Sequence, residues 1–260
     1  MYKISANTSF IGKSVIYMPS CHSTNDHVGA LLAQEKNLQE GTIVLTPEQT
    51  KGRGQRGNSW ESNPDENITA SFLLRPQFIT ARNQFQLNVA ISLGVFDTIH
   101  HLTPSGTKIK WPNDILVNNK KIGGILIENF IIGQNISHSI VGIGLNINQE
   151  SFVGDFPATS LFLASDKKFQ VPRVIETLLE NIEKRYLSLK NEGYDRLRQE
   201  YYTHLFWYHE TGCFQETLPN GEVNIFEGQI LGVNENGCLS IGDQNGKIRH
   251  FGFKEVKHLY

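Results

Sequence analysis

The chain has few cysteines, little excess charge and no long apolar run. Cys21, Cys213 and Cys238 are an odd number without metal-ligand spacing. They argue against a disulfide framework or a zinc site and for a reducing compartment, so a cytoplasmic protein is expected. Cys21 lacks a His and Asp arrangement that would make it a nucleophile and reads as an incidental or buried thiol. The N-terminus, Met-Tyr-Lys-Ile-Ser, has no signal-peptide core, and the best apolar run, Ile122 to Ile132, is broken by Glu128 and Asn129, so no membrane partner is expected. A net charge of −2 gives no reason to expect nucleic acid. Repeats and low-complexity segments are missing too. What is present is ordinary for a folded protein: 260 residues, 39% hydrophobic and 19% charged, enough for a large domain or a large and a small one.

The stretch from Lys110 to Glu128 organises the rest. Pro112 lacks an N–H, so the strand leading to Lys110-Trp111 ends there in a turn that brings Asn113 and Asp114 out at a strand end. Asp114 to Val117 and Ile122 to Ile127 are apolar runs separated by Asn118-Asn119-Lys120-Lys121, the pattern of a hairpin. Gly123 and Gly124 lie inside the returning strand, where a missing side chain marks a bulge or a close approach by a ligand or another backbone. A second stretch, Gly52-Arg-Gly-Gln-Arg-Gly57, offers backbone N–H groups and guanidinium groups to a phosphate. Together the two suggest nucleotide chemistry. Taken as a plain loop, 51–60 would be exposed and mobile; Trp60 at its end could stack on a flat ring or fold over a ligand.

Strands are expected at Val15 to Met18, Thr42 to Thr46, Ile68 to Leu74, Lys108 to Trp111 and Ser139 to Leu145. Ser23-Thr-Asn-Asp26 reads as a capping box before a helix carrying Val28, Leu31 and Leu32. Residues 84–102 place Phe85, Val89, Leu93, Phe96 and Ile99 on one helical face, with His100 and His101 as C-terminal caps. Pro172 opens a long helix with Val174, Leu178, Ile182, Tyr186 and Leu189 aligned, and a further helix runs from Tyr194 to about His204. Strands followed by helices, with little strict alternation, predict an α+β fold with a mixed sheet packed against helices. After His209 the texture becomes short strands, 223–233, 237–241 and 247–253, with Asn236-Gly237 and Asn245-Gly246 as turns. This predicts a small β-barrel over 209–260, joined near Tyr208 to Gly212 to a domain over 1–208.

Lys-Trp-Pro-Asn-Asp at 110–114, Lys-Ile-Gly-Gly-Ile-Leu at 121–126, Gly-Arg-Gly-Gln-Arg-Gly at 52–57, Ser-Thr-Asn at 23–25 and Gly-Ile-Gly-Leu-Asn-Ile-Asn at 142–148 resemble, in order and spacing, the motif set of biotin protein ligases. The resemblance covers about residues 14–150 by motif. It implies a class II synthetase-like sheet and an SH3-like C-terminal domain. With only 22 residues before Ser23, the monofunctional type without an N-terminal DNA-binding domain is expected.

The activity it implies is ATP-dependent biotinylation of a lysine on a biotin carboxyl carrier protein through biotinyl-5′-AMP. Lys121 would touch the biotin carboxylate and the α-phosphate, although by itself it reads as a solvated hairpin lysine. With Lys121, Arg53 and Asp114 form the expected catalytic set, and Asp114 either orients the attacking amine or caps the turn after Pro112. Biotin is assigned to Ser23, Thr24, Asn25, Gln49, Arg53, Gly54, Gln55, Lys121 and Gly124. ATP and the adenylate are assigned to Arg53, Gln55, Arg56, Trp60, Lys110, Asn113, Lys121 and Asn146. Mg²⁺ is expected with the phosphates, without a protein metal site. One departure stands out: where some members of the family carry Arg-Gly-Arg-Arg, this chain has Gln55. The alternatives are a lipoate ligase or octanoyl transferase of related fold, and a non-catalytic carrier- or nucleic-acid-binding protein. The chain could be a monomer or a homodimer.

Overall fold

The computed structural model describes residues 4–34, 37–103, 106–153, 157–218 and 221–259, the Arg56 side chain excepted. Seven strands form the main sheet: β1 (Val15–Tyr17), β2 (Ile43–Thr46), β3 (Asn67–Leu74), β4 (Thr107–Lys110), β5 (Asp114–Val117), β6 (Lys120–Ile132) and β7 (Asn135–Asn146). Their order is β1-β2-β3-β7-β6-β5-β4. Only β1 and β2 pair in parallel; the other neighbours are antiparallel, so the sheet is mixed as expected. The β5–β6 turn is Asn118-Asn119, with φ of 49° and 64°. Two successive positive-φ residues suit a two-residue hairpin turn, and Asn tolerates that region better than most side chains. Strands β6 and β7 are longer than the expected Ile122 to Ile127 and Ser139 to Leu145 and extend together past Glu128 to a second turn at 133–134.

Period-two alternation explains how the sheet is covered. On one face Val44, Leu73 and Ile140 pack with Val28, Leu31 and Leu32 of α1 (Thr24–Gln34). The opposite face contributes Ile43, Leu45, Phe72, Leu74 and Val141 to the larger core. There it meets α2 (Phe85–Leu102), followed in the chain by the short α3 (Leu161–Ser165), the long α4 (Val171–Glu192) and α5 (Asp195–His204). Gly94 lets α2 and α4 approach closely, since a Cβ there would lie 2.8 Å from the Ile182 Cα. Val174, Leu178, Ile182, Tyr186 and Leu189 are all buried, as their spacing predicts.

A second, antiparallel sheet comprises β8 (Thr211–Thr217), β9 (Val223–Val233), β10 (Leu239–Asp243), β11 (Ile248–Phe251) and β12 (Val256–Leu259), ordered β11-β10-β9-β8-β12. Two of these, β8 and β12, are missing from the sequence reading. Thr211 and Gly212 belong to β8 rather than to a linker. Among the described residues no strand pairing joins β11 to β12, so the expected barrel is an open five-stranded sheet by its hydrogen bonds. The two sheets meet closely. Trp111 donates from Nε1 to the Gly237 carbonyl at 3.0 Å and meets Phe253 edge-on at 5.4 Å, while Tyr202 donates to the Val233 carbonyl at 2.8 Å. No helix among the described residues is long and apolar enough to cross a membrane.

Candidate active site

On the face covered by α1, the stripe of β7 that begins with Ile140 continues as Gly142 and Gly144, two residues apart in register. With their side chains missing, that part of the sheet becomes the floor of a cavity of about 670 Å³. Asn25 and Trp60 close on this floor. A Cβ on Gly142 would run into the Asn25 side-chain oxygen, and one on Gly144 would fall within the Trp60 indole. Gly124, across from Gly144 in β6, has the same ring 3.3 Å from where its Cβ would be. The glycines singled out in the sequence are thus close-approach sites, and a neighbouring indole is one of the groups that approaches them.

The Ser-Thr-Asn junction combines cap and wall. The Asp26 N–H donates to Ser23 Oγ at 3.4 Å, a long capping bond. Thr24 donates its N–H to Gln49 Oε1 at 2.8 Å and its hydroxyl to the same oxygen at 3.1 Å. Asn25 Oδ1 accepts from Ser71 Oγ at 2.6 Å, and its Nδ2 donates to Glu128 at 2.6 Å. All three side chains are buried. This end of the cavity is polar, neutral and rigidly hydrogen-bonded.

The glycine-rich loop folds over the sheet, tied by an Arg53–Ser59 bridge, a Gly54 N–H bond to the Asn58 carbonyl (2.7 Å) and a Trp60 N–H bond to the Gly52 carbonyl (2.9 Å). Gly54, Gln55 and Trp60 reach the cavity. Arg53 also lines it, but its guanidinium donates to Asp26 and Glu128, which raise its pKa against the opposing effect of burial. Arg53, expected at the biotin and the nucleotide, thus reaches the cavity with its guanidinium engaged by two carboxylates. The expected role of Arg56 depends on a side chain outside the described ones.

At the other end, Lys121 Nζ lies 2.7 Å from Asp114 Oδ1, a charge contact without an aligned hydrogen bond, and 5.7 Å from the Trp60 ring centre, within cation–π reach. Pairing with Lys121 does not exclude either role considered for Asp114. Asn113 laces the turn to β6, donating from Nδ2 to the Ile125 carbonyl at 2.7 Å while its own carbonyl accepts from the Ile125 N–H at 2.9 Å. Burial pushes Lys110 down to about 8, helped by Lys121 and opposed by Asp114. Asn146 is the exception. It is buried outside the cavity wall, its Nδ2 donates to the Thr159 carbonyl at 3.0 Å, and its Oδ1 finds no partner among the described residues. It therefore lies apart from the described residues that line the cavity with Lys121 and Trp60.

Four wall residues carry no signal in the sequence: Lys254 in the turn before β12, and Val256, Lys257 and His258 in β12 of the second sheet. No motif marks them, because they arrive by tertiary packing. Lys254 lies 3.5 Å from Asn58 Oδ1, linking that sheet to the loop. His258 is pushed down to about 3 by burial and by Lys110, so it is neutral in the folded protein.

A nucleotide-type cavity with a neutral polar end, a lysine-rich end and a glycine-rich cover, set on a mixed sheet, defines a ligase-like site. The sequence matches the biotin/lipoate A/B protein ligase family over residues 17–146, and the chain belongs to that family. It is 34% identical over 246 residues to the bifunctional ligase/repressor BirA of Bacillus spizizenii, covering 92% of this chain and 72% of that one. To the biotin–[acetyl-CoA-carboxylase] ligase of Mycobacterium tuberculosis it is 30% identical, over 65% of this chain and 62% of that one. The fold superposes on the biotin protein ligase from Aquifex aeolicus in complex with biotin and ATP with a TM-score of 0.76, at 25% identity, covering 95% of this chain and 99% of that one.

Proposed function

We propose that the chain is a biotin protein ligase that activates biotin with ATP and transfers it to a lysine of a carboxyl carrier protein. The observation that carries this reading is the single cavity in which a neutral, hydrogen-bonded end and a lysine-rich end lie about two strand residues apart, ~7 Å. That polarity suits a molecule with a neutral ring system and a carboxylate.

In the first step a biotin carboxylate oxygen bonds to the α-phosphorus of ATP and pyrophosphate leaves. The two reacting anions repel, so the barrier falls where fixed cations sit between them. Lys121 fills that role, and Asp114 holds its ammonium in place until the anions arrive. Lys110, Lys254 and Lys257 add positive charge for the polyphosphate. Ser23, Thr24, Asn25 and Gln49 face the rings, while Trp60, Gln55 and Asn113 border the nucleotide. In the second step the carrier amine attacks the acyl carbon, AMP leaves and the amine gives up a proton, with Asp114 near enough to orient it once Lys121 has turned to the phosphate. Asp114 is the one carboxylate among the described residues that line the cavity, and no cluster of three or more metal-ligating side chains occurs among them. That donor set does not fit a protein-held metal; it is compatible with Mg²⁺ carried on the phosphate oxygens with its own waters. Residues 1–208 would serve as the catalytic unit, with 209–260 contributing the lysine-bearing wall.

Incubation with biotin, ATP·Mg and a carboxyl carrier domain, followed by intact mass, tests the reading. Wild-type protein should release pyrophosphate and biotinylate the carrier, with lipoate or octanoate giving neither. Lys121→Ala should lose both, and because Lys121 is only 28% exposed and pairs with Asp114, a wild-type circular dichroism spectrum is needed to show that the variant is folded. Pyrophosphate release at the wild-type rate from the folded variant would remove Lys121 from the chemistry.

A further inference from the structure

Arg53 sits at the neck of the glycine-rich loop, at its bridge to Ser59, and its fork is spent on carboxylates from two different elements, Asp26 in the first turn of α1 and Glu128 in β6. Together the three side chains sum to one negative charge, and both ends of the guanidinium are engaged in tying the loop to α1 and β6. Glu128 is the connecting member. Its Oε1 takes the Arg53 guanidinium and its Oε2 takes the Asn25 amide at 2.6 Å. Asn25 has no freedom to turn over. Its Oδ1, which can only accept, holds the Ser71 hydroxyl at 2.6 Å and abuts Gly142, where even a methyl group would collide with it. A continuous chain of donors and acceptors therefore runs from buried Ser71, through the cavity wall at Asn25, to the neck of the loop that carries Gln55 and Trp60.

We propose that Glu128 is a positioning residue for the reaction: it fixes the glycine-rich loop over the cavity by gripping Arg53, and it ties that position to Asn25 at the ring-binding end. The inference rests on the reading of the cavity as a biotin and nucleotide site and adds to it a residue outside the cavity wall. A carboxylate is needed because both partners donate. An amide at 128 could still accept from Arg53, but its NH₂ would face the Asn25 NH₂. Exchanging the groups, with the carboxylate at 25 and the amide at 128, restores the bonds to Arg53 and Ser71 and the bond between the two side chains and keeps the total charge, losing only the long Asn25 Nδ2 contact to the Leu126 carbonyl at 3.5 Å.

The test uses full-length protein with Glu128→Gln, Asn25→Asp and the double variant, all of which keep the tryptic sites Lys51, Arg53 and Arg56. Without ligands, each single variant should be cut in the loop about three- to tenfold faster than wild type, the change expected for losing one partly exposed charge-assisted bond, and the double variant should return towards the wild-type rate. In pyrophosphate exchange, Glu128→Gln should raise KM for biotin and for ATP by a similar factor with kcat within about twofold, the split expected when binding is lost and the chemical step is not. A merely structural role would lower the melting temperature and leave that split unmoved. Loop cleavage unchanged by Glu128→Gln, no recovery in the double variant, or a fall in kcat at constant KM overturns the proposal. The ligand-free cleavage rates stand whatever the substrate is, so absence of biotin-dependent exchange in the wild type would refute the proposed function and not the clasp.

Discussion

Lys110 gives the sharpest quantitative prediction. Burial in the cavity wall lowers it from the ordinary 10.5 to about 8, despite Asp114 nearby. The difference corresponds to roughly 3 kcal/mol disfavouring the charged form in the folded protein. Since the folded pKa lies below the unfolded one, the unfolded chain holds a proton that the folded chain has released between about pH 8 and 10.5. Stability should therefore rise with pH through that window, by up to ~3 kcal/mol in chemical denaturation relative to Lys110→Met, which has no proton to release. Function should move the other way. If Lys110 supplies charge to the triphosphate, kcat/KM for ATP in pyrophosphate exchange should fall about tenfold per pH unit above its pKa, because that parameter reports the free enzyme. Lys110→Arg stays charged and should flatten this limb, whereas Lys110→Met should be weak at every pH. A limb of the same midpoint in Lys110→Arg would refute the argument, as would equal pH dependence of stability in the wild type and Lys110→Met.

Three further outcomes follow from the geometry. Gly144→Ala should displace the Trp60 ring from the floor and open the loop, seen as faster acrylamide quenching of tryptophan fluorescence, with a melting temperature close to wild type because the loop lies outside the core; unchanged quenching would mean the ring does not rest there in solution. His258, neutral when folded and pushed to about 3, takes up a proton on unfolding below its ordinary 6.5, so stability should fall with pH by up to ~1.4 kcal/mol per unit from there towards pH 3, and His258→Phe should reduce that slope, an identical slope counting against it. Gln55 lines the cavity as a neutral donor, and an ionised one forms a bond stronger by ~1 kcal/mol. Gln55→Arg should slow escape of free biotinyl-5′-AMP measured without a carrier by roughly fivefold, and unchanged escape would place retention on Lys121 and the β5–β6 hairpin instead.

Local sequence determined much of this protein. The helices at 85–102 and 171–192 follow from apolar residues recurring at three and four, because that spacing makes one buried face whatever lies opposite. The β5–β6 hairpin follows from two asparagines that accept positive φ, and the cavity floor from glycines placed where strand alternation points at α1. Thirteen of the expected site residues line one cavity, and they could be picked out because most sit at turns, strand ends or a helix start whose form is local. Three matters were left to the tertiary structure. Charge pairing between distant residues decided that Arg53 is held by Asp26 and Glu128, 27 and 75 positions away, and no local pattern encodes a partner at that distance. Packing of the second sheet brought Lys254, Lys257 and His258 to the cavity, with no motif of their own. Strand pairing turned residues 211–217 and 256–259 into β8 and β12: their alternation is too short to read alone, and they become strands through the backbone hydrogen bonds that neighbouring strands supply.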